Sequence, residues 1–99
     1  MKKLFPIGTV VTMVDGTKPL MIYGRLQYTG GSKEIYDYVA CLYPEGNISD
    51  DYNVFFNHED VDKVLFTGYQ TEEDEEYQVF AQEELEKNPK QKKRRFLSR

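Results

Sequence analysis

Ninety-nine residues, 39% of them hydrophobic and 30% charged, with a formal net charge of −4, make one domain with one core, which buries roughly 60–70% of the surface its unfolded chain exposes. The apolar runs are a few residues long, far short of the roughly 20 that span a bilayer, so membrane insertion is not expected. The one cysteine, Cys41, rules out an internal disulfide and agrees with a reducing compartment.

The opening Met1-Lys2-Lys3-Leu4-Phe5-Pro6 has the basic start of a signal peptide, but Pro6, Gly8 and Thr9 break the apolar stretch that should follow, and a cytosolic protein is expected. From Ile7 to Val14 the residues are rich in β-branched types and predict a strand. Asp15 to Pro19 supply a turn in which Gly16 can take positive φ. Leu20 to Tyr28 alternates as a second strand. Leu20, Ile22, Gly24, Leu26 and Tyr28 form its apolar face, Arg25 and Gln27 mark the wet end of the other, and Gly24 permits a bend or bulge.

Residues 29–33 read as a flexible connection. The third strand, Glu34 to Tyr43, is apolar on both faces, as a strand covered on both sides would be. On simple alternation Tyr36 and Tyr38 share a face. Pro44-Glu45-Gly46-Asn47 closes it with a turn in which Gly46 or Asn47 adopts left-handed geometry. Residues 48–52 form a polar loop, and Asn53 to Phe56 a short fourth strand with Phe55 and Phe56 on opposite faces. Asn57 caps one helical turn over His58-Glu59-Asp60, and Val61 to Phe66 makes a fifth strand.

Thr71 is an N-cap with Asp74 as an imperfect capping box, and the acids Glu72 to Glu76 suit the positive end of a helix. Tyr77, Phe80, Ala81 and Leu85 predict a narrow apolar stripe on that helix before Asn88-Pro89 stops it. The division is therefore a β-rich domain over 1–71, an acidic amphipathic helix over 72–88 packing on it, and a basic, disordered tail over 89–99. The charge is segregated accordingly: six bases and nine acids in 1–71, eight acids and no base in 72–86, seven bases in 87–99. The fold class is α+β: a small, five-stranded, strongly bent antiparallel sheet or SH3-like partial barrel with one C-terminal helix.

No reaction chemistry emerges. His58 with Glu59, Asp60 and Asp62 is the nearest approach to a metal or acid/base cluster. Consecutive residues point in different directions, however, and no second His or paired Cys is available. Cys41 sits between Ala40 and Leu42 as a small hydrophobe. No glycine loop cradles a phosphate and no Ser-His-Asp set is present, so neither an enzyme nor a cofactor is expected. Lys90, Lys92, Lys93, Arg94, Arg95 and Arg99 are the strongest nucleic-acid signal, but the acidic helix beside them repels phosphate; a small nucleic-acid-binding barrel stays the weakest reading. Eight tyrosines and six phenylalanines exceed what so small a core requires, which favours a protein-binding surface, and an exposed sheet edge offers a route to a homodimer.

The successive motifs L-F-P-I-G-T-V-V, L-M-I-Y-G-R, Y-D-Y-V-A-C-L-Y-P-E-G and F-F-N-H-E-D-V-D-K-V-L-F-T-G-Y, spanning about residues 4–70, resemble a family of small uncharacterised proteins of Gram-positive bacteria. The genes of that family lie beside LXG toxin genes of the type VIIb secretion system. The resemblance transfers no catalytic residue and does not extend to the basic tail. It implies a cytosolic accessory protein, a chaperone or adaptor, that binds a cognate LXG-type toxin or its export partners before secretion. An immunity protein neutralising a secreted toxin is the alternative, and the chain's acidity would suit a toxin with a basic, nucleic-acid-cleaving site. The contact surface expected from this reading is the aromatic face around Tyr36, Tyr38, Tyr43 and Phe55, with His58 and Asp60 as polar anchors.

Overall fold

The computed structural model describes residues 2–29 and 34–87. The basic tail and most of the 29–33 connection lie outside them. Five strands, β1 (Val10–Met13), β2 (Leu20–Tyr28), β3 (Ile35–Leu42), β4 (Val54–Phe56) and β5 (Val61–Phe66), precede one helix, α1 (Glu72–Lys87). They form one antiparallel sheet in the order β4-β3-β2-β1-β5. The sheet is open, with β4 and β5 as its edges, so the bent sheet rather than a closed barrel is the architecture.

Two irregularities shape it. Between Ile22 and Gly24 the register of β2 against β3 shifts, leaving Tyr23 as the extra residue of a bulge at the glycine. A Cβ on Gly24 would stand 2.7 Å from Val39 Cγ1, so the close approach of the strands requires glycine here. Two residues on, Leu26 takes φ 55, and Arg25 and Leu26 are both buried, so the in–out alternation slips. Arg25 is thus not at a wet end: it turns inward. The neighbouring strand slips with it, since Asp37 and Tyr38 are both buried and Ile35 packs against the core.

The core lies on one face of the sheet, where Val11, Leu20, Ile22, Leu26, Tyr38, Ala40 and Phe56 cluster with Leu4 and Ala81. The middle of β3 is buried on both faces, as its composition predicts, with Val39 and Cys41 enclosed on the side away from that cluster. In the first turn Asp15, at φ 66, takes the left-handed geometry expected of Gly16. Gly46, at φ 84, takes it in the second. Residues 50–52 and 58–60 form single 3₁₀ turns, the first capped by Ser49 Oγ accepting from Asp51 N.

Helix α1 begins as expected, with Thr71 Oγ1 accepting from Asp74 N at 3.0 Å. Its buried face is different. Gln78 and Ala81 are buried and Leu85 packs on the core, while Tyr77 and Phe80 are 42% and 47% exposed. The reason lies in residues 2–6, an extended strap that runs along the helix. Leu4 N donates to Gln78 Oε1 at 2.8 Å, and Gln82 exchanges two hydrogen bonds with the Lys2 backbone. A polar side-chain ladder therefore docks the helix beside Ala81 and Leu85 of the predicted stripe, and the helix turns Tyr77 and Phe80 outward.

Candidate protein-binding face

The sheet face opposite the core carries an apolar row that crosses four strands: Cys41 beside Met21, Met21 beside Val10, Val10 beside Phe66. Among the described residues, the strap and helix lie on the other face. Cys41 and Val10 are buried by their neighbours, whereas Phe66 is 63% exposed. Phe66 and Leu65 from β5, Tyr43 just past the end of β3, and Pro19, Val10 and Met21 line a groove of about 430 Å³. Its lining carries no charged residue; the Lys18–Glu45 ion pair, Nζ to Oε1 2.7 Å, is made by neighbours of Pro19 and Pro44.

The predicted contact residues divide between two environments. Tyr43 lines this groove. Phe55 is opposite Val39 on the same outer face, and Tyr36 meets it with ring centroids 6.0 Å apart. Tyr36 therefore belongs with Phe55 and not with Tyr38, because the slip at Leu26 and Asp37 puts the two tyrosines on different sides. Tyr38 is fully buried, stacked on Phe5 and tilted against Phe56, and is not surface at all.

His58 and Asp60 also do not join the outer face. The Tyr38 hydroxyl accepts from Phe5 N at 3.0 Å and shares a hydrogen bond with His58 Nδ1 at 2.6 Å. The ring lies 4.7 Å from that of Phe5. His58 N donates to Asp37 Oδ2, and the same oxygen accepts from Lys2 Nζ at 2.8 Å. Asp60 Oδ2 accepts from Asn57 N, while Asn57 Oδ1 accepts from Asp37 N. These residues build the junction between strap, β3 and β4. Burial pushes the Tyr38 hydroxyl up to about 12, and the hydrogen bond to Asp37 raises the Lys2 ammonium.

Phe66, Leu65, Val10 and Met21 are the contributors that sequence reasoning did not single out. Each sits in a strand that was read correctly, but only the strand order, which places β5 beside β1, assembles them. No set of His, Cys, Asp or Glu that could hold a metal occurs among the described residues, and no helix among them is long and apolar enough to cross a membrane.

Comparison with curated proteins and with solved structures returned no match. A family model described as a domain of unknown function, DUF4176, matches residues 4–77, which include all five strands, the strap from Leu4 and the first turns of α1. The chain belongs to the DUF4176 family.

Proposed function

We propose that this chain is a non-enzymatic accessory protein, a chaperone or adaptor, that binds an LXG-type toxin or its export partners for type VII secretion. The observation that carries the binding part of this reading is the uncharged groove of Tyr43, Val10, Met21, Leu65 and Phe66 on the outer sheet face, continuous in the sheet with Phe55 and Tyr36. Exposed apolar area of this kind on a small domain marks a site of association, and aromatic residues at its centre supply most of the energy. The link to LXG toxins rests on the motif resemblance.

Co-purification from cells producing both proteins tests it. The unsubstituted chain should carry the toxin through two affinity steps, while Tyr43→Asp and Phe66→Asp, folded as judged by circular dichroism, should not. Deleting the gene should reduce toxin stability or export. Unchanged stability and export would sink the chaperone reading, and death of the deletion strain would favour the immunity alternative.

A further inference from the structure

Residues 2–6 are bound as a peptide ligand is bound. Side chains of other elements bond the backbone of Lys2, Leu4 and Phe5, and the Pro6 carbonyl accepts from Thr9 N. Leu4 N donates to Gln78, Phe5 N to the Tyr38 hydroxyl and Lys2 N to Gln82, while Gln82 Nε2 and Arg25 Nη1 donate to the carbonyls of Lys2 and Phe5. The side chains enter separate subsites. Lys2 reaches Asp37 at 2.8 Å and Glu59 at 3.6 Å, Lys3 reaches Glu75 at 3.6 Å, Leu4 is 2% exposed in the core, and Phe5 lies between Tyr38 and His58. Two cavities of about 310 Å³ border the strap, one beside Phe5, His58 and Thr71, the other beside Lys2, Val79 and Gln82. Leu4 and Pro6 are buried and Phe5 packs against the core, whereas Lys2 and Lys3 are open to solvent.

We propose that the cleft between α1 and the sheet is a docking groove for an extended segment of a partner protein, of the pattern cation, cation, aliphatic, aromatic, and that residues 2–5 fill it in cis as an exchangeable strap. Amide side chains at Gln78 and Gln82, one helical turn apart, read the backbone of whatever lies there. The carboxylates of Asp37, Glu59 and Glu75 select for cations at the first two positions, and the Leu4 pocket and the Tyr38–His58 wall select the next two. A segment presented by a partner competes with the tethered strap, so its apparent affinity falls by the fraction of time the groove is open. This groove is on the core side of the sheet and is independent of the outer face.

The test uses the whole chain and a fluorescein-labelled peptide, Lys-Lys-Leu-Phe-Pro-Ile, read by anisotropy. Leu4→Asp, which loosens the strap, should bind the peptide at least about tenfold more tightly than the unsubstituted chain. Adding Gln78→Ala should abolish that gain, and a scrambled peptide should not bind. A folded Leu4→Asp chain that ignores the peptide, or takes the scrambled one equally well, overturns the proposal. Should Leu4→Asp not fold, amide exchange on the unsubstituted chain decides. The Leu4 and Phe5 amides should exchange at least about tenfold faster than those of Val39 and Ala40, reporting a strap that opens without global unfolding. Equal rates in strap and central strand overturn it.

Discussion

The guanidinium of Arg25 grips the carboxylate of Asp74 with two hydrogen bonds, Nη1 to Oδ2 at 3.1 Å and Nη2 to Oδ1 at 2.5 Å, and so ties the middle of β2 to the first turn of α1. The Arg25 side chain is 6% exposed and that of Asp74 21%. Asp74→Ala, which leaves a buried guanidinium without its anion, should lower unfolding free energy by about 3 kcal/mol in urea titration. The pair Arg25→Met with Asp74→Leu should lose less than the sum of the singles. The Arg25 hydrogen bonds hold the Asp74 carboxyl below its ordinary range. Its contribution is therefore complete above the unfolded value of about 3.9 and is lost as pH falls through the lower, folded one. Below about pH 4 the unsubstituted chain should lose stability with a steeper slope than Asp74→Ala.

Glycines 24 and 68 should answer differently to a methyl group. Gly24→Ala presses on Val39 Cγ1 and should destabilise by about 1–3 kcal/mol. Removing that methyl with Val39→Ala should make the double variant less unstable than the two singles predict. At Gly68 the obstacle is backbone, the Ile7 carbonyl oxygen, and Gly68 N is bonded to Thr9 Oγ1. Nothing there can give way, so Gly68→Ala should cost more than about 4 kcal/mol, or leave no folded protein, by thermal melt.

Tyr38→Phe should cost about 1–3 kcal/mol, because it strips a partner from both Phe5 N and His58 Nδ1. Burial lifts the Tyr38 hydroxyl to about 12 from an ordinary value of about 10. The stability this confers is fully present below about pH 10 and is lost as pH rises toward 12. The gap between the unsubstituted chain and Tyr38→Phe should therefore narrow across that window, measured by urea midpoints at each pH.

Gln78→Ala should destabilise by about 1–2 kcal/mol, since it deprives Leu4 N of its acceptor in a buried setting. Val79→Ala, at a position 45% exposed, should stay within about 0.5 kcal/mol. The reverse order would mean that Val79, and not the Gln78 amide, anchors this stretch of the helix.

That helix shows where sequence reading stops. Its start at Thr71 follows from capping chemistry and was legible, as were all five strands, the bulge at Gly24 and the turn at Gly46, because local rules decide them. Its buried face was legible only in part: Ala81 and Leu85 of the expected stripe pack on the core, Tyr77 and Phe80 do not. Tyr77 and Phe80 have the right spacing, but the strap, 74 to 80 residues away, supplies backbone groups that Gln78 and Gln82 satisfy, and periodicity alone does not register so distant a partner. The same holds for the aromatic face. Tyr43, Phe55 and Tyr36 were read as surface and do lie on the outer side. Tyr38 is lost to the core because a left-handed Leu26 on the neighbouring strand slips the alternation, and a leucine in that conformation carries no signature in sequence.

The two edges of the sheet have a further consequence. β4 is three residues long, and β5 breaks register twice against β1, leaving Asp62 and Leu65 as the unmatched residues of the two bulges, with charged Asp62 and Lys63 exposed along the strand. Neither rim offers a straight template for another strand. Sticky flat surfaces are dangerous mainly when the rims also join, because rim joining repeats without end and yields fibres, whereas two surfaces meeting across a two-fold axis use each other up. Any pairing of copies through Phe66 and Tyr43 would therefore join two faces and stop there, instead of extending along a rim.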